Sequence, residues 1–395
     1  MRSFFPFITF TLFFFFCLSS SAQWQLVHTG SAQVWAMTNK GNILYAGDLN
    51  GIYYSDDFGA SWAVNTCQCN YVRNIVFWDS IMYVTSDYDG VFKSNDNGST
   101  WVSIDSGIAN PTQAWSLTHN DSLLILGTSG SFSGDKATIY ISSDSGSTWT
   151  NVLVLTSQDV FYSFSILGNE IFAGVLPSGL YYSDDKGATW TLKNGIISAK
   201  HLGLGDTNLL CGVTGGIGGT YLSTDKGISW LNVLPVQYGY CFASYEQFTF
   251  TGNSNGFYYS TDDGYTWTAD NLGLPATKHI ISICVIDSIV FAGTDQGEIY
   301  KKDVTTISTQ TTDVPDQMHS VFVFPNPTND VLNIRFKSNE EYRFQLFNVL
   351  GEILLDVNLR DESNSINLSG FADDIYFYRF GINTNEYQSG KIIKQ

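Results

Sequence analysis

The chain has 395 residues, with 37 acidic against 19 basic side chains and a formal net charge of −18. So large an excess of negative charge excludes binding to nucleic acid or anionic lipid through bulk charge, because both partners are polyanions. Between residues 23 and 303 the sequence holds a single arginine, Arg73.

The N-terminal 22 residues have the composition of a secretory signal peptide. Arg2 precedes a run rich in Phe and Leu, and small residues then predict cleavage after Ala22. Cys17 follows four phenylalanines instead of the small residues of a lipobox, which argues against a lipid anchor. We expect no later stretch to span a bilayer, since none is long and apolar enough.

Six copies of the pattern Ser-x-Asp-x-Gly-x-(Ser/Thr)-Trp follow. Their aspartates are Asp57, Asp96, Asp144, Asp185, Asp225 and Asp262. We interpret each copy as the turn of a β-hairpin, closed by the Asp side chain through backbone N–H groups two residues on. The Gly supplies a positive φ, and the Trp is expected to pack between neighbouring sheets.

The tryptophans of these copies continue a ladder that starts at Trp24 and advances in steps of 37 to 48 residues. A four-stranded blade needs about 40 residues, so the ladder predicts seven blades between residues 23 and 303. The last apolar strand has no copy of the pattern after it. We therefore expect the segment from Trp24 to supply the outer strand of the last sheet and close the circle.

The six patterns closely resemble the Asp-box, or BNR repeat, of β-propeller proteins. The resemblance implies an all-β fold, a seven-bladed β-propeller. Asp-box proteins include sialidases, which hold the substrate carboxylate with three arginines. A chain with Arg73 alone in this region lacks that triad, so the resemblance does not imply sialidase activity.

Residues 304–319 are polar and read as a linker, and residues 320–395 alternate as strands of a small antiparallel β-sandwich. This last segment resembles the type A C-terminal sorting domain of the type IX secretion system. The shared motifs are Pro325-Asn326-Pro327, Asn348-Val349-Leu350-Gly351, Ile375-Tyr376 and the final Lys-Ile-Ile-Lys; Asp373-Asp374 departs from the usual Gly. The resemblance implies export by that machinery from a Gram-negative bacterium, then attachment to the cell surface or release.

Cysteine and histidine spacing indicates no metal centre, and the sequence predicts no cofactor. Cys67 and Cys69 lie in a loop without a nearby His, and their redox state stays open. Cys241 and Cys284 occupy predicted inner strands, where buried free thiols are the simpler interpretation.

One aligned position gives a candidate binding ring. Twelve residues before the Gly (or Thr85) of each second strand, the chain places Trp35, Arg73, Trp115, Tyr162, Lys200, Tyr240 and Ile281. We expect these residues at the mouth of the central channel, where aromatic rings stack on sugars or apolar peptide groups; the alternative is that they only complete the packing between blades. Phe132, in the long loop of residues 129–136, is a further candidate over the same mouth. Substitution of Trp35 or Trp115 by Ala should then weaken ligand binding and leave folding largely intact.

A second candidate set is acidic. Asp48, Asp87, Asp89 and Asp295 fall in equivalent loops after the second strands, and a glycoside hydrolase would need two of them as a carboxylate pair. We interpret them first as solvated loop acids. The sequence as a whole indicates a secreted, surface-attached, non-catalytic binding propeller for a glycan or protein ligand. The alternatives are a polysaccharide hydrolase of the Asp-box type and a structural adhesin or spacer.

Overall fold

The computed structural model describes residues 23–307 except 66, 68, 131–133, 194, 197, 206–207, 215–217 and 236–237. In the C-terminal part it describes residues 322–324, 328, 330–336, 341–348, 352–361, 363–381 and 387–394. Within these residues the fold is all-β, and its single helical element is a 3₁₀ turn. The predicted signal peptide of residues 1–22 lies outside the described residues.

Short antiparallel strands fill residues 25–303. In chain order they are β1 Gln25–Thr29, β2 Ala36–Lys40, β3 Ile43–Asp48, β4 Gly51–Ser55, β5 Ala63–Val64, β6 Val72–Trp78, β7 Ile81–Ser86, β8 Gly90–Ser94, β9 Val102–Ser103, β10 Ala114–His119, β11 Leu124–Thr128, β12 Thr138–Ser142, β13 Thr150–Val154, β14 Val160–Leu167, β15 Glu170–Leu176, β16 Gly179–Ser183, β17 Thr191–Lys193, β18 Ala199–Leu204, β19 Leu209–Val213, β20 Gly219–Ser223, β21 Leu231–Leu234, β22 Gly239–Tyr245, β23 Phe248–Asn253, β24 Gly256–Ser260, β25 Thr268–Ala269, β26 Ile280–Ile286, β27 Ile289–Thr294 and β28 Glu298–Asp303. They form seven sheets of four strands, in the orders β2–β5, β6–β9, β10–β13, β14–β17, β18–β21, β22–β25 and β26-β27-β28-β1.

The seven sheets follow one another in a closed circle. Each first strand packs beside the first strand of the next sheet, from β2 through β6, β10, β14, β18 and β22 to β26, and β26 packs beside β2. The N-terminal strand β1 pairs with β28, with Leu26 opposite Tyr300, and so supplies the outer strand of the last sheet as predicted. This pairing joins the two ends of the circle through backbone hydrogen bonds.

Adjacent sheets approach so closely that glycine is required at the contact. A Cβ on Gly212 in β19 would lie 2.3 Å from the carbonyl oxygen of Gly239 in the next sheet. Larger apolar side chains fill the remaining space between sheets, including the fully buried Tyr45, Tyr83, Phe161 and Phe250. The core of the circle is therefore a series of clusters between sheets.

The six Asp-box turns share one hydrogen-bond pattern, which differs in one detail from the expected pattern. In the first box Asp57 Oδ1 accepts from the backbone N–H of Ser61 at 2.8 Å, four residues on and not two, while Oδ2 accepts from the Ser61 hydroxyl at 2.6 Å. Ser55 Oγ donates to Asp57 and accepts from the N–H of Gly59, whose φ is 84°. The carboxylate therefore spans the whole turn, because the turn contains two successive residues with positive φ, Phe58 and Gly59.

The chain leaves the last sheet through a packed turn. Val304–Thr306 form the 3₁₀ helix, and Val304 and Ile307 are both buried against the last two sheets. The first four residues of the predicted linker thus belong to the packed body, and residues 308–319 lie outside the described residues.

Two further sheets follow near the C-terminus. Their strands are β29 Phe322–Phe324, β30 Val331–Arg335, β31 Tyr342–Phe347, β32 Ile353–Leu359, β33 Ser363–Asn367, β34 Ile375–Gly381 and β35 Tyr387–Ile393. The sheet orders are β29-β30-β33 and β32-β31-β34-β35. Leu332 and Ile334 of the first sheet and Phe344 and Phe380 of the second share one buried cluster, so the two sheets pack face to face.

Two remaining features concern cysteines and membrane contact. Cys67 and Cys69 form a disulfide, while Cys211, Cys241 and Cys284 are free thiols. None of the helical segments in the described part of the chain has the length and hydropathy that a membrane-spanning helix needs.

Candidate functional site

A cavity of about 330 Å³ opens where the first strands of the seven sheets begin. It is lined by Gln33, Trp35, Arg73, Trp115, Tyr162, Lys200, His201, Tyr240, His279, Ile281 and Asp295. All seven members of the sequence-derived ring are among these residues: six lie on the first strand of a sheet, and Trp35 directly precedes β2. The structure thus brings together side chains separated by up to 246 residues of sequence.

A local irregularity of the strands presents the ring. In six of the seven first strands the register with the second strand shifts at one residue, which is left without a direct partner. Those residues are Arg73, Trp115, Tyr162, Lys200, Tyr240 and Ile281. A β-bulge redirects a side chain away from the regular alternation of a strand, and here it places one residue of each strand at the cavity.

Arg73 is held between two indole rings. Its guanidinium carbon lies 4.2 Å from the ring centroid of Trp35 and 4.3 Å from that of Trp115. It also donates a hydrogen bond of 2.8 Å to Asp87, whose side chain is 8% exposed. Arg73 therefore occupies a position between the two indoles where a sugar ring would have stacked.

Lys200 repeats this arrangement on another part of the ring with two tyrosines. Its ammonium lies 4.7 Å from the ring centroid of Tyr162 and 5.7 Å from that of Tyr240. Unlike Arg73, Lys200 forms no ion pair with any carboxylate among the described residues. Burial, and to a smaller extent the charge of Arg73, lowers the pKa of Lys200, while burial raises the pKa of both Tyr162 and Tyr240.

Two histidines complete the lining. His279 stacks on Tyr240 at 6.0 Å between ring centroids, and its Nδ1 lies 3.2 Å from Asp295 Oδ2. His201 packs edge-on between Tyr162 and Tyr240. Burial and the neighbouring Lys200 charge hold the pKa of His201 well below its usual range, so His201 is a neutral imidazole at pH 7.

The four candidate acids do not converge on this cavity. Asp295 lines it and contacts His279, and Asp87 reaches it only through Arg73. Asp89 accepts a hydrogen bond from the backbone N–H of Asn70 at 2.6 Å. Asp48 accepts one from the N–H of Asn50 at 2.6 Å, and burial raises its pKa. Each of the four carboxylates is thus engaged by a partner within its own neighbourhood.

Sequence reasoning missed three lining residues, Gln33, His201 and His279. Gln33 and His279 precede the aligned ring position by two residues, and His201 follows it by one, so a window around that position would have found them. Phe132, predicted to lie over the same mouth, falls outside the described residues. No cluster of three or more potential metal ligands occurs within the described ranges.

The fold defines the class of protein: sheets of four antiparallel strands arranged around an axis are typical of β-propellers. Residues 181–192 and 258–269 match the family model for the BNR/Asp-box repeat. Residues 322–395 match the model for the secretion system C-terminal sorting domain. The chain therefore carries Asp-box repeats and a sorting domain, which marks it for export by the type IX secretion system to the cell surface or the extracellular space.

Solved structures with similar folds are β-propellers of diverse function. The structure titled "YCF48 bound to D1 peptide" is 16% identical with a TM-score of 0.57, and the match covers 71% of this chain and 94% of that one. PorZ of Porphyromonas gingivalis, a surface component of the type IX secretion system, is 15% identical with a TM-score of 0.54, over 93% of this chain and 60% of that one. The GH74 xyloglucanase of Xanthomonas campestris is 16% identical with a TM-score of 0.54, over 80% and 59%. At such identities the likeness concerns the fold alone. No curated protein matches the sequence.

Proposed function

We propose that the protein is a secreted, surface-attached binding module that holds a glycan or protein ligand in the ring-lined cavity without chemical conversion. In this proposal residues 1–22 are a signal peptide and residues 23–303 a seven-bladed propeller. After a linker, the sandwich of residues 320–395 engages the type IX secretion machinery. The match of residues 322–395 to a sorting domain supports the last assignment.

The observation that carries the binding role is the convergence of the ring at one cavity. Six residues at strand irregularities reach it together with Trp35, which directly precedes β2. Six of these seven are aromatic or cationic, although no element of the fold requires such side chains at these positions. A volume of about 330 Å³ lies at the lower end of the range for small-molecule sites, which suits one or two sugar units or a short peptide segment. A structural spacer would need no such cavity.

The condition of the acids favours binding over hydrolysis. A glycoside hydrolase needs two carboxyl groups, one on each side of the scissile bond. Asp87 pairs with Arg73, Asp48 accepts from Asn50 in its own loop, and Asp89 accepts from Asn70 in the preceding loop. Asp295 is then the one carboxylate among the described lining residues. The fold likeness to a xyloglucanase keeps hydrolysis as the second candidate.

A screen of the secreted protein against polysaccharides and glycoproteins tests the proposal, with retention and newly formed reducing ends measured on the same samples. Binding without new reducing ends is the expected result. Release of reducing ends that is lost in Asp295→Asn would establish the hydrolase instead. The absence of both binding and release across the panel would favour the spacer.

A further inference from the structure

We infer that the ligand carries a carboxylate, that Lys200 is the residue that pairs with it, and that the ligand is an acidic saccharide. This inference rests on the proposed binding function and names the chemical class of its ligand.

Arg73 and Lys200 have similar aromatic surroundings but different electrostatic partners. Each cation lies between two aromatic rings, yet Arg73 has the carboxylate of Asp87 at 2.8 Å and Lys200 has no carboxylate partner in the described part of the chain. The other described carboxylate at the cavity, Asp295, contacts His279. The site therefore contains one cation for which the described part of the chain supplies no counter-ion.

An unpaired, partly buried ammonium is unfavourable in the free protein. Partial removal from water and repulsion from Arg73 both disfavour its charged form. A ligand carboxylate at the ammonium would form a charge-assisted hydrogen bond and relieve this penalty. A neutral ligand would leave the penalty in place, so the cavity discriminates in favour of anions.

The remaining free polar groups favour a saccharide over a peptide. Among the described residues the hydroxyls of Tyr162 and Tyr240 and the neutral imidazole of His201 have no hydrogen-bond partner, and all three can both donate and accept. Sugar hydroxyls have the same dual character, whereas a peptide backbone presents separate donors and acceptors. With both indoles of the ring already packed on Arg73, recognition then uses polar contacts around Lys200.

The experiment uses the full secreted chain and matched ligand pairs. Oligogalacturonate and hyaluronan oligosaccharides are each compared with their carboxyl-reduced forms, and an oligoglutamate peptide serves as a protein-type anion. Binding is measured by calorimetry for wild type, Lys200→Met and Lys200→Arg. Lys193→Met is the matched control, because Lys193 also lies over a tyrosine, 4.2 Å from the ring centroid of Tyr182, but on an outer strand away from the cavity.

We expect the carboxylated form of at least one saccharide to bind, and its reduced form to bind about 10–100-fold more weakly. Lys200→Met should lose the same factor, Lys200→Arg should retain most of the affinity, and Lys193→Met should bind as wild type does. Equal binding of acid and reduced forms would overturn this inference and leave the binding function standing. Binding of oligoglutamate without saccharide would overturn the saccharide assignment. If none of these probes binds, and no polysaccharide or glycoprotein of the broader panel binds either, the proposed binding function itself is refuted.

Discussion

The contacts of Arg73 predict that its loss destabilises the propeller as well as altering the cavity. Arg73→Met keeps an apolar stem between Trp35 and Trp115 but removes the guanidinium from both indoles and from Asp87. Each lost cation–π contact is worth about 0.5–2 kcal/mol. The larger effect is that Asp87 stays buried and without its cation, and breaking a buried pair in this way costs about 3–5 kcal/mol. If the two cation–π contacts and the buried pair add, the free energy of unfolding falls by about 4–9 kcal/mol in total.

Urea unfolding followed by tryptophan fluorescence measures this loss. All ten tryptophans lie between residues 24 and 267, so the signal reports on the circle of seven sheets and is blind to the C-terminal sheets. The double variant Arg73→Met/Asp87→Asn should recover part of the stability, because the unpaired charge is then removed. A loss below about 1 kcal/mol, or no recovery in the double variant, would refute the buried-pair reasoning.

The other predictions concern ring closure, acid stability and the indoles. Trp24→Ala should lower the free energy of unfolding by about 3–5 kcal/mol in urea, since Trp24, directly before β1, is buried and donates to the Asp270 carbonyl at 2.7 Å. Leu26→Ala on β1, where the side chain is 53% exposed, should change little; equal effects would contradict closure through this segment. The Asp-box hydrogen bonds lower the pKa of Asp57, Asp96, Asp144 and Asp185 to about 2. The ionised aspartates therefore stabilise the fold fully above pH 4, and this stabilisation is lost as the pH falls towards 2. The melting temperature should drop across that interval, and less steeply in Asp96→Asn. A melting temperature that stays constant between pH 4 and 2 would contradict a stabilising role of the Asp-box carboxylates. Trp115→Ala should weaken ligand binding, because Trp115 packs edge-on against Tyr162, one of the two rings that hold Lys200, at 4.9 Å between ring centroids. A variant that unfolds outright would favour the packing interpretation of the ring.

The Asp-box repeat allowed the architecture to be predicted from the sequence. The Asp-box fixes a turn through a local hydrogen-bond network, and the regular tryptophan spacing counts the sheets, so both can be read without knowledge of distant contacts. The closing role of the segment after Trp24 followed from the missing seventh box, because an unpaired outer edge needs a strand. The detail that the Asp57 carboxylate reaches four residues on could not be read, since it depends on two successive positive φ values.

Only part of the candidate site could be predicted from the sequence. Alignment of repeats selected Trp35, Arg73 and the other ring positions, because equivalent positions in equivalent sheets must lie at the same height around the axis. The acids Asp48 and Asp89 also fall at equivalent loop positions, yet hydrogen bonds from Asn50 and Asn70 hold them away from the cavity lining. Which hydrogen-bond partner a carboxylate finds depends on local distances and angles, and the spacing of residues along the sequence does not determine these.

By itself the sequence determined the all-β repeat architecture, the closure through the N-terminal strand and the sorting domain. Each of them depends on local patterns, either repeated along the chain or shared in the same order with a known domain. The tertiary structure decided what the ring residues contact. It placed Arg73 between two indoles and beside Asp87, and brought His201 and His279 to the same cavity. It left Lys200 between two tyrosines, with no carboxylate partner among the described residues. These pairings join different sheets, and their energies depend on distances and burial that arise only when the circle of sheets has closed.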